Sequence, residues 1–109
     1  MDNEKMQKIA DLIAKQLELK NDFSKKFIIE TLTSIQRFDA KQTEKGMGEY
    51  DEFGALGVLV EMSKKYNMLK ASYKNENTTC SKEEILKAWE DVSIFALMGK
   101  LVEEKKWKE

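Results

Sequence analysis

The chain has 109 residues with 41% hydrophobic and 36% charged residues and a formal net charge of −1, the balance of one water-soluble domain with a modest core. It contains no histidine and one cysteine, Cys80. Histidine-dependent nucleophilic catalysis, histidine-ligated zinc and an internal disulfide are thereby excluded, and a reducing compartment fits. Without proline, and with Lys, Glu, Leu, Ala and Met abundant, the chain is expected to form long unbroken helices.

Met1 to Lys20 reads as a first helix, with Asp2 or Asn3 able to accept from its free amides and Met6, Ile9, Ala10, Ile13 and Leu17 at helical spacing. Asn21-Asp22 is a short break, and Asp22 is the expected cap of a second helix from about Phe23 to about Glu44. Its apolar stripe is Phe27, Ile28, Thr31, Leu32, Ile35 and Phe38. Arg37, the only arginine among 19 basic residues, is either a surface charge or a guanidinium fork suited to phosphate or carboxylate.

Gly46 and Gly48 mark a loop that lacks the pattern of a phosphate-cradling loop. The third helix is expected over Tyr50 to Tyr73, with Leu56, Leu59, Val60, Met62, Tyr66, Met68 and Leu69 facing a core. Gly54 and Gly57 near its start suit close helix packing. The polar stretch Asn75 to Cys80 forms the next loop. Ser81 and Glu84 then make a capping box, and a fourth helix runs to about Lys105. Its stripe is Ile85, Ala88, Trp89, Val92, Phe95, Ala96, Gly99 and Val102. Four amphipathic helices joined by short loops predict a single all-α domain, an antiparallel four-helix bundle over residues 1–109. Its small core and exposed Trp107 favour self-association. The N-terminus MDNEKMQK does not read as a signal peptide and the longest apolar run, Val92 to Gly99, is too short to span a bilayer. A cytoplasmic protein that binds neither membrane nor duplex nucleic acid is expected.

Two places carry charge beside the apolar stripes. Glu61, Lys64 and Lys65 lie three and four residues apart and share a helix face, and Lys87 lies one turn before Asp91. If the third and fourth helices pack antiparallel, these groups face one another; otherwise they are ordinary ion pairs on solvated faces.

These residues carry a resemblance. The segment GALGVLVEMSKKYNMLKASY, followed by a polar gap and EEILKAWEDVSIFALM, resembles small phage and bacterial all-α proteins related to MazG-like nucleotide pyrophosphohydrolases, in the nucleotide-modification-associated branch. The similarity spans roughly Glu49 to Met98. Tyr50 and Phe53 stand at the family's upstream aromatic element, Gly57 at its glycine, Lys65 at its lysine, and Glu83 and Asp91 at acids of the second motif. Lys64 and Lys87 stand where the family has acids that hold Mg²⁺, and Glu61 where it has an arginine. Ammonium groups repel a cation that needs anionic oxygen ligands, and they suit a phosphate bound without metal.

The resemblance, with lysines in place of the metal-holding acids, implies a non-catalytic protein that binds a phosphate-bearing nucleotide, linear or cyclic. Arg37, Lys64, Lys65 and Lys87 would neutralise phosphates, Tyr50 or Phe53 would stack on a base, and Glu61 or Asp91 would accept from base or ribose. A phage protein of this kind would sequester a signalling nucleotide of a bacterial defence system, with no cofactor. One alternative is a Mg²⁺-dependent NTP pyrophosphohydrolase using Glu61, Glu83, Glu90 and Asp91. The other is a helical protein–protein interaction module.

Overall fold

A computed structural model describes residues 2–45, 54–74 and 80–106. All regular structure among them is helical: α1 (Asn3–Gln16), α2 (Asp22–Lys45), α3 (Gly54–Lys74) and α4 (Lys82–Glu103). The helices form two compact units, Met1–Lys45 and Gly46–Glu109.

In the first unit α1 packs on α2. Asp2 caps α1 by accepting from the Lys5 amide at 2.7 Å. Met6, Ala10 and Ala14 are buried, and Ile9 and Ile13 half-buried. The two alanines let the helices approach closely. The contacts pair residues in reverse order along the two helices: Thr33 donates to the Met6 sulfur, and Lys25 meets Asp11 at 3.4 Å.

Two sequence expectations change here. The first helix stops at Gln16 rather than Lys20. The Glu18 amide bonds to the Lys15 carbonyl and the Leu19 amide to that of Ala14, the pair of bonds that ends a helix when the residue between turns left-handed. Glu18 takes that conformation with φ of 54°, in a place usually filled by glycine. The second correction is the cap of α2. Asn21, not Asp22, accepts from the Phe23 amide at 2.9 Å.

In the second unit α3 packs on α4, again with pairs in reverse order. A Cβ built on Gly54 would lie 3.8 Å from Val102, and one on Gly99 would lie 3.7 Å from Val58. Further along, Lys65 meets Asp91 and Tyr73 meets Trp89. The capping box of α4 is present: Ser81 Oγ accepts from the Glu84 amide at 3.1 Å, and Glu84 Oε1 accepts from the Ser81 amide at 3.4 Å. The chain leaves α4 as it leaves α1, with Lys105 left-handed at φ of 59°.

The buried faces are rotated from those expected. On α3 the line facing α4 runs through Val58, Met62, Lys65, Leu69 and Ser72, while Leu56, Leu59, Val60 and Tyr66 are exposed. On α4 the buried residues are Ala88, Asp91 and Met98, while Trp89 and Ala96 are exposed. On α2 the half-buried line is Ile28, Leu32 and Phe38, while Phe27, Thr31 and Ile35 are exposed. On α1 Leu17 is exposed. The expected start of the third helix at Tyr50, with the loop residues Gly46 and Gly48, lies outside the described residues, as does Trp107. No described helix is long and apolar enough to cross a membrane.

A left-handed residue other than glycine costs roughly 1–2 kcal/mol. Glu18→Gly should therefore raise stability against urea by up to about 1 kcal/mol, the greater freedom of glycine in the unfolded chain offsetting part of the gain. A loss of stability would contradict the assigned turn.

Candidate functional site

The site is built from the spacing of charges along α3 and α4. With about 3.6 residues per turn, Glu61 and Lys64 fall on the flank of α3 that also carries Gly57 and Met68. Lys65 sits nearer the line facing α4. On α4, Asp91 lies toward the seam, and Lys87, Glu90 and Ile94 fall on the flank that continues from it. The opposite flanks are apolar: Leu59, Tyr66 and Tyr73 on α3, and Ile85, Trp89, Val92 and Ala96 on α4. The α3·α4 pair thus has a charge-bearing face and an apolar face. Two observed contacts anchor this division. Trp89 Nε1 donates to the Tyr73 hydroxyl at 2.9 Å on the apolar side, and Lys65 Nζ lies 3.4 Å from Asp91 Oδ2 across the seam.

Asp91 is the buried charged residue of the described chain, 6% exposed. Taking a carboxylate out of water costs several kcal/mol unless partners replace the water. Lys65, with its side chain 39% exposed, supplies one such partner while its ammonium still reaches solvent. Glu61, half-buried, accepts from Lys64 at 2.9 Å, and the Lys64 side chain is 66% exposed. At that exposure the Glu61–Lys64 pair contributes no more than a few tenths of a kcal/mol. Lys87 is exposed, Glu90 half-buried and Glu83 exposed at the start of α4.

The structure therefore brings Lys65 to Asp91 and Lys64 to Glu61. The expectation of charges meeting across α3 and α4 holds for Lys65 and Asp91. Lys64 and Lys87 do not point into the seam; both extend to solvent. Three lysines (64, 65, 87) and three acids (61, 90, 91) share this face, so its formal charge is balanced. Arg37 is half-buried on α2, in the other unit. Tyr50 and Phe53 lie outside the described residues. Among the described residues no three acidic or cysteine side chains form a group able to hold a metal ion. Glu61 and Asp91, two of the acids of the Mg²⁺ alternative, each face a lysine instead.

The Tyr73–Trp89 contact was not foreseen. Its ring centroids are 6.5 Å apart at an interplanar angle of 51°. The two residues belong to different helices, so no spacing within either helix signals the pair.

No protein-family model, no curated protein and no solved structure matches this chain.

Replacing Lys65 by Met removes the ammonium that faces buried Asp91 while keeping most of the side-chain volume. Lys65→Met should lower stability by about 1–3 kcal/mol. Adding Asp91→Leu should recover most of that loss, since an apolar pair of similar volume replaces a buried ion pair at little cost. Urea unfolding of the single and double variants measures both effects. If Lys65→Met alone is neutral, the pair has no structural weight.

Proposed function

We propose that the charge-bearing face of α3·α4 binds the phosphate of a small nucleotide without catalysing a reaction. The observation that carries this reading is the buried Asp91 with Lys65 beside it. A helix pair built only for stability would fill that seam position with an apolar residue, so a carboxylate held there beside an ammonium marks a candidate site. Lys64, Lys65 and Lys87 are the groups that would neutralise phosphate oxygens. Lys64 and Lys87 already reach solvent, and Lys65, its side chain 39% exposed, would meet a phosphate while it stays beside Asp91.

The acids set the character of the site. Glu61 and Asp91 hold two of the three lysines, so a phosphate competes with carboxylates for the same ammonium groups. Binding is then modest, sensitive to salt, and selective for ligands that carry more than one negative charge. This reading agrees with the resemblance to MazG-like proteins whose metal-holding acids are replaced by lysine. It extends to sequestration of a signalling nucleotide by a phage protein, and to an antiparallel bundle that self-associates.

A second reading, a helical protein–protein interaction module, draws on a different observation: the exposed apolar flank with Leu59, Tyr66, Tyr73 and Trp89. The two readings concern opposite faces and are compatible.

Isothermal calorimetry against mono-, di- and cyclic nucleotides tests the nucleotide proposal. Binding in the micromolar range should weaken several-fold when salt is doubled, and again in Lys64→Ala and Lys87→Ala. Glu61→Gln, which releases Lys64, should tighten binding two- to five-fold. Absence of heat for every ligand at high micromolar concentration ends the proposal.

A further inference from the structure

The turn between α1 and α2 runs against its own sequence. Neither glycine nor proline occurs between Met1 and Lys45, and Leu17, Glu18, Leu19 and Lys20 all favour helices. The chain nonetheless reverses there, and it does so by holding Glu18 left-handed at φ of 54°. A Cβ crowds the backbone in that region, which is why glycine is the usual occupant. The other hold on the turn is Asn21, which accepts from the Phe23 amide at 2.9 Å.

Straightening the turn removes the strain at Glu18. With that residue right-handed, α1 would run into α2 as one helix over residues 3–45. The amides and carbonyls at the two helix ends would then bond one another in the ordinary ladder. The straight helix would lose the packing of α1 on α2, and Met6, Ala10 and Ala14 would stand in water. A second straight copy restores that packing without any new kind of contact.

Two observations fit such an exchange. The first is phase. Met6, Ala10 and Ala14 are the buried line of α1, and Ser24, Ile28 and Leu32 are half-buried on α2. Leu17 and Asn21 join the two lines at steps of three and four residues. The stripe therefore passes through the turn as though the helix continued, and one partner helix could cover its whole length. Leu17, 64% exposed beside the turn, would come onto the contacting face.

The second is register. Thr33 meets Met6, and Lys25 meets Asp11. Both pairs are centred within Glu18 to Lys20. Two straight helices lying antiparallel about that point set Met6 against Thr33, and Asp11 against Lys25, of the other copy. The pairs are the same and only the chain that supplies them changes, so the exchange closes at two copies.

We propose that α1 exchanges between two copies of this chain: the turn at Glu18 opens into helix, and α1 of each copy packs on α2 of the other. Short hinges under strain favour this route to a dimer. Because α1 must leave α2 before it pairs again, monomer and dimer interconvert slowly, and the concentration at which the chain folds sets their ratio. The exchange stands whether or not α3·α4 binds a nucleotide.

Refolding the full chain from urea at about 10 µM and at about 1 mM, followed by chromatography with light scattering, tests the proposal. The higher concentration should give a dimer that persists after dilution. Glu18→Gly relaxes the turn and weakens the straight helix, so its dimerisation constant should fall about tenfold or more. Asn21→Ala removes the cap of α2 and favours continuous helix, so it should raise the dimer fraction. Exchange is distinguished from simple association by combining Asp11→Cys and Lys25→Cys with Cys80→Ser and treating the isolated dimer with a short bis-maleimide. Links between copies support the proposal, and links confined within one copy overturn it. A chain that refolds only to monomer at both concentrations overturns it, as does Glu18→Gly protein that dimerises as readily as the parent.

Discussion

The α3·α4 unit depends on one constraint: Asp91 is buried in the seam, and it must meet a cation there. Apolar contacts tolerate sliding, because a leucine displaced by one turn finds another apolar surface. A buried carboxylate does not. Shifting α3 by one residue would carry Lys65 about 100° around its helix and take it from the seam. The pair therefore fixes register and rotation together, which is what buried charges do better than they stabilise. The other contacts follow from that setting. Val58 comes opposite Gly99, Gly54 opposite Val102, and Tyr73 opposite Trp89. The same setting places Glu61, Lys64, Lys87 and Glu90 on one face and Tyr66, Tyr73 and Trp89 on the other.

Each helix pair has a thin core. The buried apolar residues of the described chain are Met6, Ala10, Ala14, Val58, Leu69, Ala88 and Met98, and three of these are alanines. Burial of an alanine methyl contributes little at about 25 cal/mol per Å² of apolar area. Small residues in the seam let backbones approach, but they leave the larger apolar side chains outside. Leu56, Leu59, Val60 and Tyr66 are on the surface of α3 for this reason, as are Phe23, Phe27 and Ile35 on α2. Helices of this length owe most of their stability to packing of an apolar face rather than to propensity.

Much of the fold was legible in the sequence. Four helices, their approximate limits and the Ser81–Glu84 capping box could be read because periodicity and cap chemistry are local signals. What could not be read was the rotation of each helix. In α3 the segment Gly54–Val60 is apolar or glycine at every position, so nothing polar sets its phase. In α4 the charge at Asp91 points to the seam, against the usual rule that charges mark the outer face. The end of α1 was misplaced because Glu18 occupies a left-handed position that carries no glycine to announce it. At the site, the pairing of Glu61 with Lys64 was legible from a spacing of three. The burial of Asp91 was not, since it depends on which residues of α3 lie across from it.

The division into two faces bears on how this chain would have come to hold charge in a seam. A buried carboxylate in a helix pair is a cost with little structural return, since an apolar side chain would fill the same place, and Asp91 is only 6% exposed, so Lys65 more than bulk water answers its charge. The low exposure of Asp91 lowers the effective dielectric around it, so its attraction to Lys65 is screened less than the Glu61–Lys64 attraction on the solvated flank. The seam pair bears on where α3 lies against α4, and the solvated pair beside it contributes little to that.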